Sequence, residues 1–183
     1  MNIPDDYIDD VIGREAGYSN NPLDAGGETM WGVTAAVARA YGYTGSMKDL
    51  PRSTAVDIYR SRYWIVPKFD QLNAIDSALA AHLLDIGVNM GPATGVKFVQ
   101  RALNVLNQQA KTFPDMAVDG GLGPMTLAAI KAFYAARGAD GPKVLFGMVQ
   151  SQQSVRYIEL AEANPTQETF EFGWQLNRAF GSV

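Results

Sequence analysis

Two carboxylates near the amino terminus stand in contrasting surroundings, within the segment REAGYSNNPLDAGGETMWGVT that runs from position 14 to 34. Glu15 follows Val11 by four positions and Ile8 by seven, so on a helix it shares their apolar face. Apolar neighbours and the negative end of a helix would both raise the pKa of this carboxyl group. A raised pKa suits a general acid that works near neutral pH.

Asp24 lies nine residues after Glu15 and beyond Pro22, in a turn where it is expected to be solvated and ionised. Two carboxyl groups in opposed environments form the acid and base pair of glycoside hydrolysis. Thr29, after the glycines at 26 and 27, could orient a water molecule. Considered singly, each of these residues is better explained by a structural role. Glu15 would be a boundary glutamate paired with an arginine, Asp24 an Asx-turn residue and Thr29 a strand residue.

The composition fits one domain, or one domain with a small appended lobe, because the chain has 183 residues of which 47% are hydrophobic. The net charge of -4 and the pI of about 4.9 argue against nucleic acid as a partner and give no electrostatic help with wall binding. The absence of cysteine excludes disulfides and thiol chemistry. The single histidine, His82, excludes His-rich metal sites.

The amino-terminal segment MNIPDDYIDD has neither a basic nor an apolar signal region, so no signal peptide is expected. No run approaches 18 apolar residues, so no membrane insertion is expected. The chain is therefore expected to be made in a cytoplasm. It is also expected to be a monomer.

The hydrophobic pattern predicts a mostly α protein with one small β-hairpin, in which residues 29–33 pair with the preceding loop. Helices are predicted over residues 4–16, 34–41, 53–64, 74–89, 93–109, 124–137, 142–162 and from 164 to about 180. Thr34 is expected to cap one helix, and Ser53 or Thr54 another. Pro124 is expected to open the helix that follows the turn at Asp119.

The segment EAGYSNNPLDAGGETMWGVT resembles the motif of glycoside hydrolase family 108, phage-type N-acetylmuramidases that cut peptidoglycan. That motif is Glu-Gly-Gly-Tyr, then Pro-x-Asp-x-Gly-Gly-x-Thr, then Gly-Ile-Thr. The matching positions are Glu15, Gly17, Tyr18, Pro22, Asp24, Gly26, Gly27, Thr29, Gly32 and Thr34. The chain departs at Ala16 and Val33, and both changes leave the reactive groups untouched. Four residues separate Asp24 from Thr29, where phage lysozymes have five.

The resemblance continues along most of the chain. The segments IYRSRYWIVPKFDQL and LLDIGVNMGPATGVKFVQRALN resemble two helices of the family, and VDGGLGPMTLAAI and FEFGWQLNRAF resemble its peptidoglycan-binding-like region. The resemblance implies a lysozyme-like catalytic region over residues 1–92. A helical peptidoglycan-binding-like region over residues 93–183 would pack on it as one compact unit.

The activity that the resemblance implies is hydrolysis of the β-1,4 bond between N-acetylmuramic acid and N-acetylglucosamine, in an antimicrobial endolysin that lyses the phage host. Glu15 would protonate the glycosidic oxygen. Asp24 would position or activate water, or stabilise positive charge at the sugar, and Thr29 would help to hold that water. This chemistry needs no cofactor. The enzyme would act on the periplasmic cell wall, after release through a holin-type pore or delivery in a virion.

Several further residues are candidates for substrate contact. Tyr18, a motif position, is expected to contact the substrate, and Tyr63 and Trp64 could stack on sugar faces, although aromatic residues at a helix end more often belong to the core. The resemblance places Asn89 at the substrate cleft. His82, Asp85 and Asn89 share one side of a helix, where a buried polar network is a better interpretation than a metal site. The loop from Asp119 lacks the ligand pattern of an EF-hand, and a turn that caps the next helix is expected instead.

Two other functions compete with this one. A lytic transglycosylase needs a single acidic residue, and Asp24 argues against it because such an enzyme has no need to activate water. A non-catalytic wall-binding or virion structural protein could keep the same fold. A peptidase or amidase is disfavoured because the sequence has no cysteine and one histidine.

Overall fold

The computed structural model describes residues 7–9, 12, 17–20 and 27–181. They form two compact units, one ending at Val66 and the other beginning at Pro67. Helices dominate, and a small antiparallel sheet lies near the amino terminus, so the predicted mostly α fold is confirmed. Among the residues that the structure describes, no helix is long and apolar enough to cross a membrane.

The sheet of the amino-terminal unit has three strands, β1 (Tyr18–Ser19), β2 (Thr29–Met30) and β3 (Val33–Thr34), in that order. A two-residue turn at Trp31 and Gly32 divides the single strand predicted over 29–33. Both turn residues have positive φ, 56° and 72°, which is the combination that a type I′ hairpin turn requires. Trp31 is held in this unusual conformation by its indole N–H, which donates to the carbonyl oxygen of Leu50 at 2.9 Å.

Helix α1 (Ala35–Tyr41) follows the sheet directly. The predicted cap is confirmed, because the hydroxyl of Thr34 accepts a hydrogen bond from the backbone N–H of Val37 at 3.3 Å. The helix ends at Gly42, which has a φ of 103°.

Helix α2 (Arg52–Arg60) follows a short 3-10 helix at Met47–Asp49 and continues into one π-helical turn at Ser61–Ile65. The expected cap at Ser53 or Thr54 is wrong. Pro51 occupies the N-cap position without a side-chain hydrogen bond, since its extended backbone (φ -61°, ψ 140°) already leads the chain into the helix.

The core of this unit contains Ile8 and Ile12, two apolar residues of the predicted first helix. Ile8 and Ile12 lie in helical backbone and are 1% and 0% exposed. The other residues of the predicted helix over 4–16 lie outside the described residues, apart from Tyr7 and Asp9. Buried residues from the sheet and the later helices complete this core: Val33, Ala38, Met47, Leu50, Ala55, Ile58 and Trp64.

The carboxyl-terminal unit is helical in all its regular elements that the structure describes. Its helices are α3 (Phe69–Asn73), α4 (Ser77–Met90), α5 (Pro92–Leu106), α6 (Pro124–Arg137), α7 (Asp140–Ala163) and α8 (Glu168–Trp174). A 3-10 turn at Pro165–Gln167 precedes α8, and a π-helical turn at Gln175–Ala179 follows it.

Most of these helices lie close to their predicted bounds, and α6 matches its prediction at both ends. Helix α4 begins three residues later than predicted because Asp76 is its N-cap. The Asp76 carboxylate accepts from the backbone N–H of Leu79 at 2.9 Å. The hydroxyl of Tyr134 donates to the same carboxylate, so α6 is tied to the start of α4. Burial and this bond raise the pKa of Tyr134 far above its usual range.

The turn before α6 is held by the side chain of Gln100, which is 2% exposed on α5. Its amide nitrogen donates to Asp119 Oδ1 at 2.8 Å, to the carbonyl oxygen of Gly121 at 3.1 Å and to Thr126 Oγ1 at 3.3 Å. Its carbonyl oxygen accepts from the N–H of Gly120 at 2.9 Å. Asp119 therefore bonds to Gln100 and to the N–H of Gly121. The turn leads into α6 through Gly123, which is the N-cap and has no side-chain cap hydrogen bond.

Glycine is required at position 120. Its φ is +81°, and a Cβ atom there would lie 2.8 Å from the carbonyl oxygen of Ala93. The close approach of this turn to the start of α5 thus depends on Gly120 and on the Gln100 hydrogen bonds together.

We predict that Gln100→Met lowers the free energy of unfolding by about 2–4 kcal/mol, because buried groups of the turn lose their partners. Urea denaturation measures the change. The matched control is Gln71→Met, since Gln71 is exposed on α3, and its effect should stay within about 0.5 kcal/mol. Equal stability of the two variants would show that Gln100 does not hold the turn.

Candidate functional site

The predicted acid Glu15 and its partner Asp24 lie outside the residues that the structure describes, and their roles remain predictions. Thr29, the third predicted catalytic residue, lies half-buried on the central strand of the sheet. It pairs with Ser19 on one side and with Thr34 on the other. The backbone of Thr29 is therefore fixed from both sides, as a residue that positions a water molecule would need.

Tyr18 lies on the edge strand β1 and is 36% exposed. Its hydroxyl donates to Glu28 Oε1 at 2.8 Å, and the ammonium group of Lys48 lies 5.1 Å from its ring centroid. The hydrogen bond to the Glu28 carboxylate raises the pKa of Tyr18. The ring is partly exposed and lies beside a cation, and a role in substrate binding stays a prediction.

Glu28 links the sheet to the helix that follows it, and the sequence had not suggested it as a site residue. Its carboxylate accepts from Tyr18, while its carbonyl oxygen accepts from the N–H of Ala35 at 2.8 Å. Glu28 occupies a variable position of the motif, between Gly27 and Thr29. Glu28 lies ten positions from Tyr18, and this spacing indicates a contact between them only when the pairing of β1 with β2 is known.

Tyr63 and Trp64, the other predicted aromatic contacts, lie in the π-helical turn after α2. Tyr63 is half-buried and its ring lies 5.5 Å from that of Tyr59, with the guanidinium of Arg62 5.7 Å from its centroid. Trp64 is 5% exposed, which is the placement that a core residue would have. Tyr63 has the more accessible ring, and contact of either residue with a sugar stays a prediction.

Asn89 is exposed near the end of α4, and its side chain is held by the residue one turn earlier. Its amide nitrogen donates to the carbonyl oxygen of Asp85 at 2.7 Å. Asp85 Oδ1 in turn forms an ion pair of 2.8 Å with Arg178, and both side chains are largely buried. Arg178 could not be predicted from the sequence as a partner of Asp85, because 93 positions separate the two residues.

His82 lies one turn before Asp85 and is fully buried against the ring of Phe146, at a centroid distance of 4.8 Å. Neither ring nitrogen forms a hydrogen bond within the part of the chain that the structure describes. The expected polar network therefore joins Asp85, Asn89 and Arg178, while His82 stands beside it without a bond. No group of three metal-ligating side chains occurs among the described residues.

Burial lowers the pKa of His82 below its ordinary value of 6.5, although the negative charge of Asp85 and the nearby side chain of Gln153 oppose this shift. His82 is therefore neutral at neutral pH. A buried imidazole without hydrogen bonds is poorly suited to proton transfer, so we assign it no part in catalysis.

A mostly helical fold with a small antiparallel sheet near the amino terminus is consistent with the lysozyme-like type. Residues 8–91 match the family described as Glycosyl hydrolase 108, and residues 94–179 match a domain described as Predicted Peptidoglycan domain. Residues 8–91 thus form a region of the glycosyl hydrolase 108 type, and the second domain follows it. The chain is a lysozyme-like glycoside hydrolase that acts on peptidoglycan.

Nine chains of solved structures match this chain. The structure of Brucella abortus SagA is one of them, with 28% sequence identity and a TM-score of 0.63. The match covers 93% of this chain and 86% of that chain. The comparison with curated proteins found no match.

The buried state of His82 predicts a pH dependence of stability. In the unfolded chain the imidazole binds a proton below about pH 6.5, whereas the folded chain resists protonation, so the free energy of unfolding falls as the pH drops below 6.5. The slope is at most about 1.4 kcal/mol per pH unit. Urea denaturation between pH 7.5 and 5.5 measures it.

His82→Leu is the matched variant, since His82 is the only histidine of the chain and the substitution removes its titration. Its stability should change less with pH. A variant whose stability falls as steeply as that of the parent would contradict the assignment.

Proposed function

We propose that this glycoside hydrolase is a phage-type endolysin with N-acetylmuramidase activity. It hydrolyses the β-1,4 bond between N-acetylmuramic acid and N-acetylglucosamine and thereby lyses the host cell. The observation that carries the proposal is the sequence motif from Glu15 to Thr34, whose residues occur in the same order as in the family motif. It lies within the region that matches the family. No nucleic acid, cofactor or membrane insertion is required, and a monomer suffices.

The chemistry follows from the types of residue in the motif. Glu15 donates a proton to the glycosidic oxygen, which makes the sugar a better leaving group. Asp24, as a carboxylate, activates the attacking water or stabilises the positive charge that develops at the sugar. Two carboxyl groups with separated pKa values allow one to act as an acid while the other stays ionised.

Thr29 has the role of holding the water. Its place on the central strand supports this role, because pairing with Ser19 and Thr34 limits the positions that its side chain can take. Tyr18 and Tyr63 offer aromatic surface to the sugars. In the wider proposal Trp64 also contacts the substrate, and Asn89 contacts it through its amide group.

The assignment of catalysis and wall binding to two separate regions of the chain is also a proposal. The catalytic region extends over residues 1–92, and a wall-binding region extends over residues 93–183. The two family matches, which end at 91 and begin at 94, support this division. The enzyme reaches the periplasmic wall through a holin-type pore or from a virion.

We expect Glu15→Gln to lower the rate of peptidoglycan clearing by at least about 100-fold, because the amide cannot donate the proton. The matched control is Glu28→Gln, a neighbouring carboxylate whose amide form can still accept the hydrogen bond from Tyr18. It should keep most of the activity. Turbidity of purified sacculi measures the rate, and circular dichroism checks that each variant is folded.

The masses of the released fragments distinguish the reactions. Hydrated muramic acid at the reducing end indicates a muramidase, whereas anhydro ends, lighter by one water, indicate a transglycosylase. A folded Glu15→Gln variant that clears sacculi like the parent would refute the assignment of the acid. Binding without any clearing by the parent would favour a non-catalytic wall-binding protein.

Thr29→Val and Thr29→Ser form a second pair of variants. Valine keeps the β-branched shape that suits the strand but removes the hydroxyl, so we expect about a 10-fold lower rate, as the loss of one hydrogen bond implies. Serine keeps the hydroxyl and should stay within about 3-fold of the parent, since the group that holds the water is still present. If both variants clear sacculi at the same rate, Thr29 does not hold the water.

A further inference from the structure

A groove runs along the carboxyl-terminal unit between α5 and α7. On α5 it is lined by Thr94, Lys97, Arg101 and Val105, which are three or four positions apart and so share one face. Its wider part has a volume of about 500 Å³ and its narrower part about 300 Å³. Eleven helical steps from Thr94 to Val105 give the groove a length of about 16 Å.

The floor of the groove is fixed before any ligand binds. Gln152 of α7 lines both parts, and its amide nitrogen donates to the carbonyl oxygens of Phe98 at 2.9 Å and of Met148 at 3.2 Å. The first of these bonds ties α7 to α5 across the floor. A preformed groove costs little conformational entropy on binding.

The walls of the groove carry an excess of positive charge. Lys97, Arg101 and Arg156 line it together with one carboxylate, Glu159. Arg156 and Glu159 form an ion pair of 2.9 Å with each other. Lys97 and Arg101 form no ion pair with any residue between 27 and 181 or in the shorter described stretches.

Lys97 also acts on the carboxylate of Asp119, whose pKa its charge helps to lower. The hydrogen bonds from Gln100 and from the N–H of Gly121 lower that pKa more strongly, and they hold the carboxylate on the turn. Lys97 and Arg101 therefore remain available to an anionic ligand. Being four positions apart on one helix face, they can contact the same ligand.

We propose that this groove binds the peptide stems of peptidoglycan through their free carboxylates. The inference rests on the proposed function, because it names the part of the same substrate that the second region binds. An extended peptide rises about 3.3 Å per residue, so a groove of about 16 Å accommodates about five residues. Stem peptides are short and carry carboxylates, which suits both the length and the charge.

The glycan strands of peptidoglycan fit the groove less well. Their muramic acid carboxylates are consumed in the amide bonds to the stems, so the strands offer no negative charge to Lys97 and Arg101. The aromatic residue of the groove, Phe98, is 6% exposed and presents no face on which a sugar could stack.

The test compares two double variants of the full chain with the same change in net charge. Lys97→Glu with Arg101→Glu reverses the groove, and Lys111→Glu with Lys131→Glu reverses exposed residues outside its lining. The dissociation constant for stem peptides, released from sacculi by an amidase, is measured by calorimetry. We expect it to rise at least about 10-fold in the groove variant and to stay within about 2-fold in the control.

A second comparison uses the soluble glycan strands that remain when an amidase removes the stems and, with them, the cross-links. This cleavage also frees the muramic acid carboxylates, so the strands are a negatively charged control without peptide. The parent should bind the strands at least about 10-fold more weakly than the stem peptides, and added salt should weaken the stronger binding. Equal affinity of the parent for stem peptides and for strands would overturn the proposal. Equal affinity of both double variants for stem peptides would overturn it as well, as would displacement of the stems by inorganic polyphosphate at the same charge concentration.

Cleavage of the stripped glycan strands separates this proposal from the proposed function. If the parent cleaves them and the groove reversal has no effect on stem binding, the groove proposal fails and the muramidase stands. If the parent cleaves nothing but its stem binding depends on Lys97 and Arg101, the muramidase fails and the groove proposal stands. Thermal unfolding of both double variants confirms that they are folded.

Discussion

The amide side chains on one face of α5 are the constraint on which the carboxyl-terminal unit depends. Residues 107–123 contain no regular helix or strand, so their backbone groups need partners elsewhere. Gln100 holds the end of this segment. Asn104 both donates to and accepts from the backbone of Met116, and Asn107 donates to Asp115 at 2.6 Å. Three amides at helical spacing thus replace the pairing that a strand would provide.

Helix α5 therefore has three faces with different roles, and the helical period places them on different sides of the helix. One face is apolar and packs in the core, where Val99 and Leu103 are fully buried. A second face carries the amides that hold the loop. The third faces the groove with Lys97 and Arg101. A substitution on the amide face would therefore weaken the loop that contributes Val118 to the groove wall. It would change no charge in the groove.

Structural features that depend on neighbouring residues could be predicted from the sequence, whereas contacts between distant segments could not. Pro124 identified the start of α6 and Thr34 the cap of α1, since each acts on its own neighbours. The beginning of α4 was predicted too early because its apolar composition gives no boundary, and the Asp76 cap decides it. The same limit applies to the candidate site. The motif selects Thr29, but the bond between Tyr18 and Glu28 and the ion pair between Asp85 and Arg178 depend on tertiary pairing.

The structure changes the interpretation of the net charge more than that of any other property of the sequence. A chain with a charge of -4 was expected to offer no electrostatic help with a negatively charged wall component. Charges at protein surfaces are screened within about 8–10 Å in physiological salt, so a ligand responds to the groups around it and not to the total. In the groove, the acidic Glu159 is paired with Arg156, and two cations remain. The sign of the local field is therefore opposite to that of the whole chain, because helical spacing gathers Lys97 and Arg101 on one face.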